Sequence, residues 1–159
     1  MVTQTANDVE GELRQLASRA VGEAGVELVD LVFRRSGSNS VLRLDIDRAG
    51  EAGVGIGDCQ RVSRAMSFAL DQMDLIPSSY QLEVSSPGID RPIRSDDDIR
   101  RNTGRRVRVL AESSEKERRS YRGRLLGAES DCLVLDTGAG EPLRVPLGQV
   151  VKAQQDLPF

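Results

Sequence analysis

The side chains of this chain that could do chemistry are mainly carboxylates and arginines. Its 159 residues contain no histidine, two cysteines and two lysines, Lys116 and Lys152, which lie in no recognisable catalytic motif. Without histidine there is no Ser-His-Asp or Cys-His relay, no imidazole base and no histidine metal site. A Ser-Lys pair is formally possible, and carboxylate-bound magnesium is the site chemistry that stays open.

Asp45 and Asp47 are the carboxylates whose spacing is most suggestive, because residues two apart on a strand share one face. They could form an acidic docking patch for a basic partner, or they could simply solvate a strand face. A magnesium-dependent hydrolase that also uses Asp30 is a further alternative. One strand pair supplies few oxygens for a metal cage, and no general base with a tuned pKa accompanies it.

Basic residues concentrate in the second half of the chain. Residues 1–90 contain 8 Arg against 14 Asp and Glu, whereas residues 91–159 contain 14 Arg and Lys against 11 Asp and Glu. Between residues 100 and 124 there are 10 basic and 3 acidic residues. Such a surface favours RNA phosphates, although the charges could also only solvate two small domains. The candidate RNA-binding residues are Arg105, Arg106, Arg108, Arg118, Arg119, Arg122 and Arg124.

Composition and targeting signals indicate a globular cytoplasmic protein. Hydrophobic residues make up 38% of the chain and aromatic residues 3%, so the core must be aliphatic and base stacking is disfavoured. Cys59 and Cys132 lie far apart, which predicts reduced thiols and neither a disulfide framework nor a zinc site. No secretory signal is present, and no apolar run approaches the ~20 residues of a membrane-spanning helix.

The first half predicts an α-β-β-α-β sandwich with both helices on one face of the sheet. The first helix should take Asn7 as its N-cap and stop at Gly25, and the second should take Asp58 as its N-cap. The Gly-rich residues 50–57 match no phosphate-binding loop and are predicted to be flexible. The predicted strands cover residues 26–35, 41–47 and 80–85, and the second helix covers residues 58–73.

The second half predicts a small β-barrel of Sm-like or SH3-like type. A short helix over residues 95–102, with Ser95 as its cap, should precede the barrel. Five short β-type runs follow, at residues 106–111, 121–126, 132–136, 143–146 and 150–153. We therefore expect an acidic α+β domain over residues 1–88 and a basic barrel domain over residues 89–159, each folding separately.

The two halves meet at Ser86, Pro87 and Gly88. Proline at the second position of a turn and glycine at the third predict a type II turn, in which Gly88 takes a positive φ. Asp90 and Arg91 follow it, and they are candidates for a polar latch between the lobes or for contact with a partner.

The run VSSPGIDRPI, residues 84–93, resembles the signature of the RimP family of ribosome maturation factors. The similarity continues in the LRLDID strand, the DCQRVSRAMS helix and the YQLEVSSPG strand. The distal half resembles the Sm-like barrel of that family, opened by GRRVRV and closed by VPLGQVVKAQ. The resemblance spans nearly the whole chain.

This resemblance implies a role in the assembly of the ribosome rather than in catalysis, and it implies no cofactor. Members of the family bind the immature small (30S) ribosomal subunit of bacteria and help its ribosomal proteins to join. The implied partners are that subunit, the small-subunit protein near the decoding centre and rRNA, and we expect a monomer. The chemistry of these residues and the resemblance together make the following residues candidates for partner binding: Ser86, Pro87, Gly88, Asp90, Arg91, Asp45 and Asp47.

The chain departs from RNA-binding Sm proteins in one respect. Those proteins use an Arg-Gly or Lys-Gly step late in the barrel, whereas Arg122-Gly123 comes early, and the earlier Asp-x-apolar-x-Asn step is absent. Sm topology without the Sm nucleotide pocket favours protein docking or diffuse phosphate contact. An Sm-like RNA-binding regulator is the alternative function.

Overall fold

The chain folds into two units, each with its own sheet and its own apolar core. The computed structural model describes residues 6–36, 38–76 and 78–156. The first unit comprises Met1–Arg48 and Val54–Pro87, and the second comprises Ala49–Gly53 and Gly88–Phe159. The segment Ala49–Gly53 therefore packs with the second unit, although in sequence it interrupts the first.

The first unit follows the predicted order α-β-β-α-β. Its elements are α1 (Ala6–Glu23), β1 (Glu27–Ser36), β2 (Asn39–Asp47), α2 (Ile56–Met73) and β3 (Ser79–Ser85). The sheet order is β1-β2-β3, with β1 antiparallel and β3 parallel to β2. Leu42, Leu44 and Ile46 alternate along β2 and are fully buried, in one core with residues of both helices.

Helix α1 ends as expected but begins differently. Gly25 has φ of 72°, its N–H donates to the Gly22 carbonyl, and the Val26 N–H donates to the Val21 carbonyl. This is the Schellman arrangement that glycine favours at a helix end. The prediction that Asn7 is the N-cap is wrong, because the helix already includes Ala6 and an N-cap residue is not itself helical.

Helix α2 also begins earlier than predicted. Gly55 is its N-cap in extended conformation, so Asp58 lies at the third helical position rather than at the cap. The Asp58 carboxylate reaches back and accepts from the Gly55 N–H at 2.9 Å. A carboxylate at this position can satisfy an amide before the helix, which lets the helix start at Ile56.

The second unit has one short helix and five strands. They are α3 (Asp96–Asn102), β4 (Arg106–Glu112), β5 (Arg118–Glu129), β6 (Cys132–Asp136), β7 (Leu143–Pro146) and β8 (Val150–Gln155), with a 3₁₀ turn (Leu147–Gln149) before β8. Helix α3 begins as predicted, since the Ser95 hydroxyl accepts from the Asp98 N–H and the Asp98 carboxylate accepts from the Ser95 N–H.

All neighbouring strands of the second sheet are antiparallel, in the order β7-β6-β5-β4-β8. The described residues show β7 and β8 as open edges, so five strands are present and barrel closure stays a prediction. At Gly123, strand β5 approaches the backbone of β6 closely, because a Cβ there would lie 2.6 Å from the Asp136 carbonyl oxygen.

The predicted type II turn at Gly88 is wrong. Gly88 has no left-handed φ; instead its carbonyl accepts from the Arg91 N–H at 3.0 Å. The hydrogen-bonded turn therefore has Ile89 and Asp90 at its centre, two residues later than the Pro-Gly pair indicated.

Candidate nucleic-acid interface

Four arginines lie on the solvent side of the β4-β5 pair. Arg106 and Arg108 alternate along β4 with the buried Val107 and Val109. Arg124 lies directly opposite Arg106, and Arg122 directly opposite Arg108. Directly opposite residues point to the same side of a sheet. We call Arg106, Arg108, Arg122 and Arg124 the arginine face.

This arrangement opposes local stability. Like charges placed directly opposite each other on antiparallel strands repel, at a cost within the range of about 0.2–1 kcal/mol for cross-strand pairs. The side chains of Arg106, Arg122 and Arg124 are 57%, 55% and 56% exposed, so water screens much of the repulsion. A polyanion laid across the two strands would remove it.

Few counterions neutralise the arginine face. Asp156 lies 3.9 Å from Arg106 Nε and 3.7 Å from Arg122 Nε, and Glu51 lies 3.8 Å from Arg124. These separations are too long for hydrogen bonds, and exposed ion pairs contribute little. Within the described ranges, Arg108 forms no ion pair. The guanidinium donors are therefore available to phosphate oxygens.

Strand β8 extends this surface with two residues that the sequence analysis did not include. Gln154 lies opposite Arg108, and Lys152 lies opposite Leu110. Their alternation along a short strand was visible in the sequence, but the pairing of β8 with β4 was not. The basic surface therefore spans three adjacent strands.

Arg105 does not belong to this surface, which corrects its prediction as an RNA-binding residue. It is 7% exposed; its Nε donates to the Gly50 carbonyl at 2.7 Å and its Nη1 to the Asn102 side-chain oxygen. The Gly50 N–H in turn donates to the Arg101 carbonyl. Arg105 thus ties Ala49–Gly53 into the second unit, and that part of the predicted flexible loop is hydrogen-bonded.

The two remaining predicted arginines are not part of the four-residue arginine face. Arg118 lies on the same side of the sheet but opposite the acidic Glu112, with 3.9 Å between their charged groups. Arg119 lies on the other face of β5 from Arg122 and Arg124. It lines a cavity of about 260 Å³ whose other walls include Tyr121, Arg144 and Gln149.

The predicted acidic patch is smaller than expected. Asp47 is 5% exposed, and its carboxylate accepts from the Arg48 N–H at 2.8 Å. Asp45 is partly exposed, but it accepts from Arg43 Nε at 3.1 Å and from the Ser85 hydroxyl at 3.3 Å. The hydrogen bond to Asp45 raises the pKa of Arg43. The two carboxylates therefore do not form an open acidic pair.

The predicted linker residues are divided between the two units. Ser86 and Pro87 close the first unit, and Gly88 opens the second. Asp90 is exposed in the turn. Arg91 Nε lies 3.9 Å from the Asp98 carboxylate, a residue of its own unit.

Two carboxylates have lowered pKa values for structural reasons. A hydrogen bond from Arg48, followed by one from the Gly55 N–H, holds the pKa of Asp58 well below its usual range, and Arg61 adds to this. Burial acts to raise the pKa of Asp98, but hydrogen bonds from Ser95 and Arg94 and the charge of Arg101 lower it overall. Both groups stabilise helix starts and face no cavity described above.

The described ranges contain neither a metal-binding cluster nor a membrane-spanning helix. No group of three or more His, Cys, Asp or Glu side chains in the described ranges is placed to hold a metal ion. Among the described helices, none combines the length and apolar character needed to cross a bilayer.

The family model described as the RimP N-terminal domain matches residues 16–90. The matched segment begins within α1, contains the remaining elements of the first unit, and ends in the turn after Gly88.

Proposed function

We propose that this chain, which belongs to the RimP family of ribosome maturation factors, is a non-enzymatic cytoplasmic assembly factor that binds the immature 30S subunit. It contacts rRNA through the arginine face and holds a small-subunit ribosomal protein through its acidic first unit. The chain acts as a monomer, and its contribution is to position these partners. The absence of histidine from the whole sequence supports a role without acid–base catalysis.

The observation that carries the RNA part of this proposal is the register of β4 and β5. Two pairs of arginines face each other across the strands and have only distant counterions. Arginine donates to phosphate oxygens in a planar fork, and such contacts fix orientation without reading sequence.

The strand order supports placing this surface on an Sm-like scaffold. A short helix followed by five antiparallel strands in the order β7-β6-β5-β4-β8 is compatible with a barrel in which β7 approaches β8. In that arrangement the arginine face lies on the outside of the barrel, and the aliphatic side chains of β4 and β5 lie inside it.

Sedimentation tests whether the chain binds its proposed target, the free small subunit. In a sucrose gradient of cell lysate, the chain should travel with free small subunits and be absent from complete ribosomes. Sedimentation only at the top of the gradient at low salt, or equal binding to complete ribosomes, would contradict the proposal.

Salt dependence tests the arginine face itself. If three to four arginines meet phosphates, the slope of log K against log salt for small subunits should be about −2 to −4. Replacing Arg108 and Arg122 together by Gln should flatten the slope by about one to two units. The matched control replaces Arg14 and Arg100, which are also exposed but lie outside the face. Equal slopes for the two double variants would show that the face is only solvated.

A second candidate function, an Sm-like RNA-binding regulator, is favoured by the cavity beside Arg119. There an aromatic ring, Tyr121, lies next to two guanidinium groups, a combination that can stack a base and bind its phosphate. High-affinity binding of a short U-rich RNA by the intact chain, lost in Tyr121→Leu but kept in the Arg108 and Arg122 double variant, would favour this function.

A further inference from the structure

Strand β3 is an edge strand that has little protection against further pairing besides the charge of Glu83. In the part of the chain that the structure describes, it pairs only with β2, in a continuous parallel register from Ser79 to Ser85. Its sequence, SYQLEVS, has no proline, no lysine and no bulge. Natural proteins commonly use such features to block an exposed edge. The free edge of β3 can therefore accept another strand.

A groove of about 740 Å³ runs beside this edge. One wall is the start of α2 and the residues before it, and the other wall is β3 itself. The residues that line it are Val54, Gly55, Ile56, Cys59, Gln60, Ser63, Leu82, Glu83, Val84, Ser85 and Ser86. All of them belong to the first unit.

The groove has an exposed apolar side chain that the fold does not explain. Ile56 is 79% exposed, which is the highest value among the large hydrophobic residues that the structure describes as exposed. Leu82 and Val84 point from β3 towards the core and are only partly buried. These side chains could cover an aliphatic residue inserted between α2 and β3.

The charge at the groove is acidic. Glu83 is the charged residue among those that line it, and it alternates with Leu82 and Val84, so it points to the opposite side of the sheet. Arg43 of β2 lies directly opposite Glu83 and interacts with its charge, but Arg43 Nε donates its hydrogen bond to Asp45. The segments that form the first unit contain 12 Asp and Glu against 8 Arg and no Lys.

We infer that β3 binds an extended segment of a basic protein as an added strand. Backbone hydrogen bonds to the free edge of β3 would give affinity. Alternate apolar side chains of the segment would enter the groove beside Ile56, while the intervening lysines or arginines would lie on the side of Glu83. This deepens the proposed function, on which it rests for the identity of the partner as a ribosomal protein.

The test uses the intact chain and a short synthetic peptide in which valine alternates with lysine. Fluorescence anisotropy should show binding that Ile56→Ser weakens by ~ten-fold, the loss expected when one aliphatic contact is removed. Phe68→Ser is the matched control, because Phe68 is an exposed apolar residue of the same helix, 68% exposed, and does not line the groove. It should leave the affinity within about two-fold.

The two free cysteines report where the peptide binds. Cys59 lines the groove, whereas Cys132 lies on β6 of the second unit. Burial raises the pKa of the Cys59 thiol, so alkylation is followed at alkaline pH. The peptide should slow alkylation of Cys59 and leave that of Cys132 unchanged.

A peptide with alternate N-methylated residues separates strand addition from simple charge attraction. It keeps the charges but loses the donors on one edge, so it should neither bind tightly nor protect Cys59. Equal binding of the methylated peptide, or equal effects of Ile56→Ser and Phe68→Ser, would overturn the inference. Because no RNA or ribosomal subunit is present, such a failure would leave the sedimentation result of the proposed function intact.

Discussion

At the residue scale, Gly123 is the glycine whose replacement should be least tolerated. A Cβ at this position would lie 2.6 Å from a backbone oxygen, that of Asp136, and backbone cannot rotate away as a side chain can. We expect Gly123→Ala to lower the free energy of unfolding by about 2 kcal/mol, as overpacking of a tight site does. Urea denaturation measures this; an unchanged midpoint would mean that β5 and β6 can separate at no cost.

Gly88 should behave in the opposite way. Its φ lies outside the left-handed region, and an added Cβ would meet only the Asp90 amide nitrogen at 3.9 Å. Gly88→Ala should therefore be neutral or stabilise by about 0.4–1 kcal/mol, because alanine restricts the unfolded chain. The same denaturation experiment applies, and a loss of stability comparable to that of Gly123→Ala would contradict the observed turn.

At the scale of an element, the start of α2 depends on the ionised form of Asp58. Its pKa is lowered in the folded chain by Arg48 and the Gly55 amide, so it adds stability above its unfolded pKa of about 3.9, and this is lost as the pH falls towards the folded value. Asp58→Asn should lower stability at neutral pH and make the decline below about pH 4 shallower. Asp97→Asn, which removes one negative charge at a 73% exposed carboxylate, is the matched control.

The β4-β5 pair should be more stable without its arginine face. Replacing Arg108 and Arg122 by Gln removes one pair of like charges directly opposite each other, and the chain should gain about 0.2–1 kcal/mol at low salt. The gain should shrink as salt screens the repulsion in the unmodified chain. Thermal melting at low and high salt checks this. A loss of stability would show that these arginines are structural and would weaken the case for RNA contact.

At the scale of the whole molecule, the second unit depends on a segment from the first half of the sequence. A fragment of residues 88–159 lacks Gly50, the acceptor for the buried Arg105 Nε. A buried donor without its partner costs about 1–3 kcal/mol, so the fragment should fold but exchange its β4 and β5 amide hydrogens faster than the intact chain does. Equal protection in fragment and chain would show that Ala49–Gly53 contributes nothing.

Local patterns in the sequence were sufficient to predict most helices and strands, because the formation of these elements depends on residues that are close in the chain. The alternation in β2, the helical spacing in α1 and the Ser95 cap each concern a few successive residues, and each predicted element is present. The same holds for the strand faces that join Arg106 to Arg108 and Arg122 to Arg124. The family was also accessible, since VSSPGIDRPI is a contiguous run.

Tertiary structure decided which of these residues are available to a partner. Burial of Arg105 and Asp47, the register that sets Arg108 opposite Arg122, and the assignment of Ala49–Gly53 to the second unit all depend on contacts between residues distant in sequence. An arginine that solvates a strand and one that binds a backbone carbonyl have the same local pattern. Only the fold, which brings a distant acceptor to one guanidinium and a like charge to another, distinguishes them.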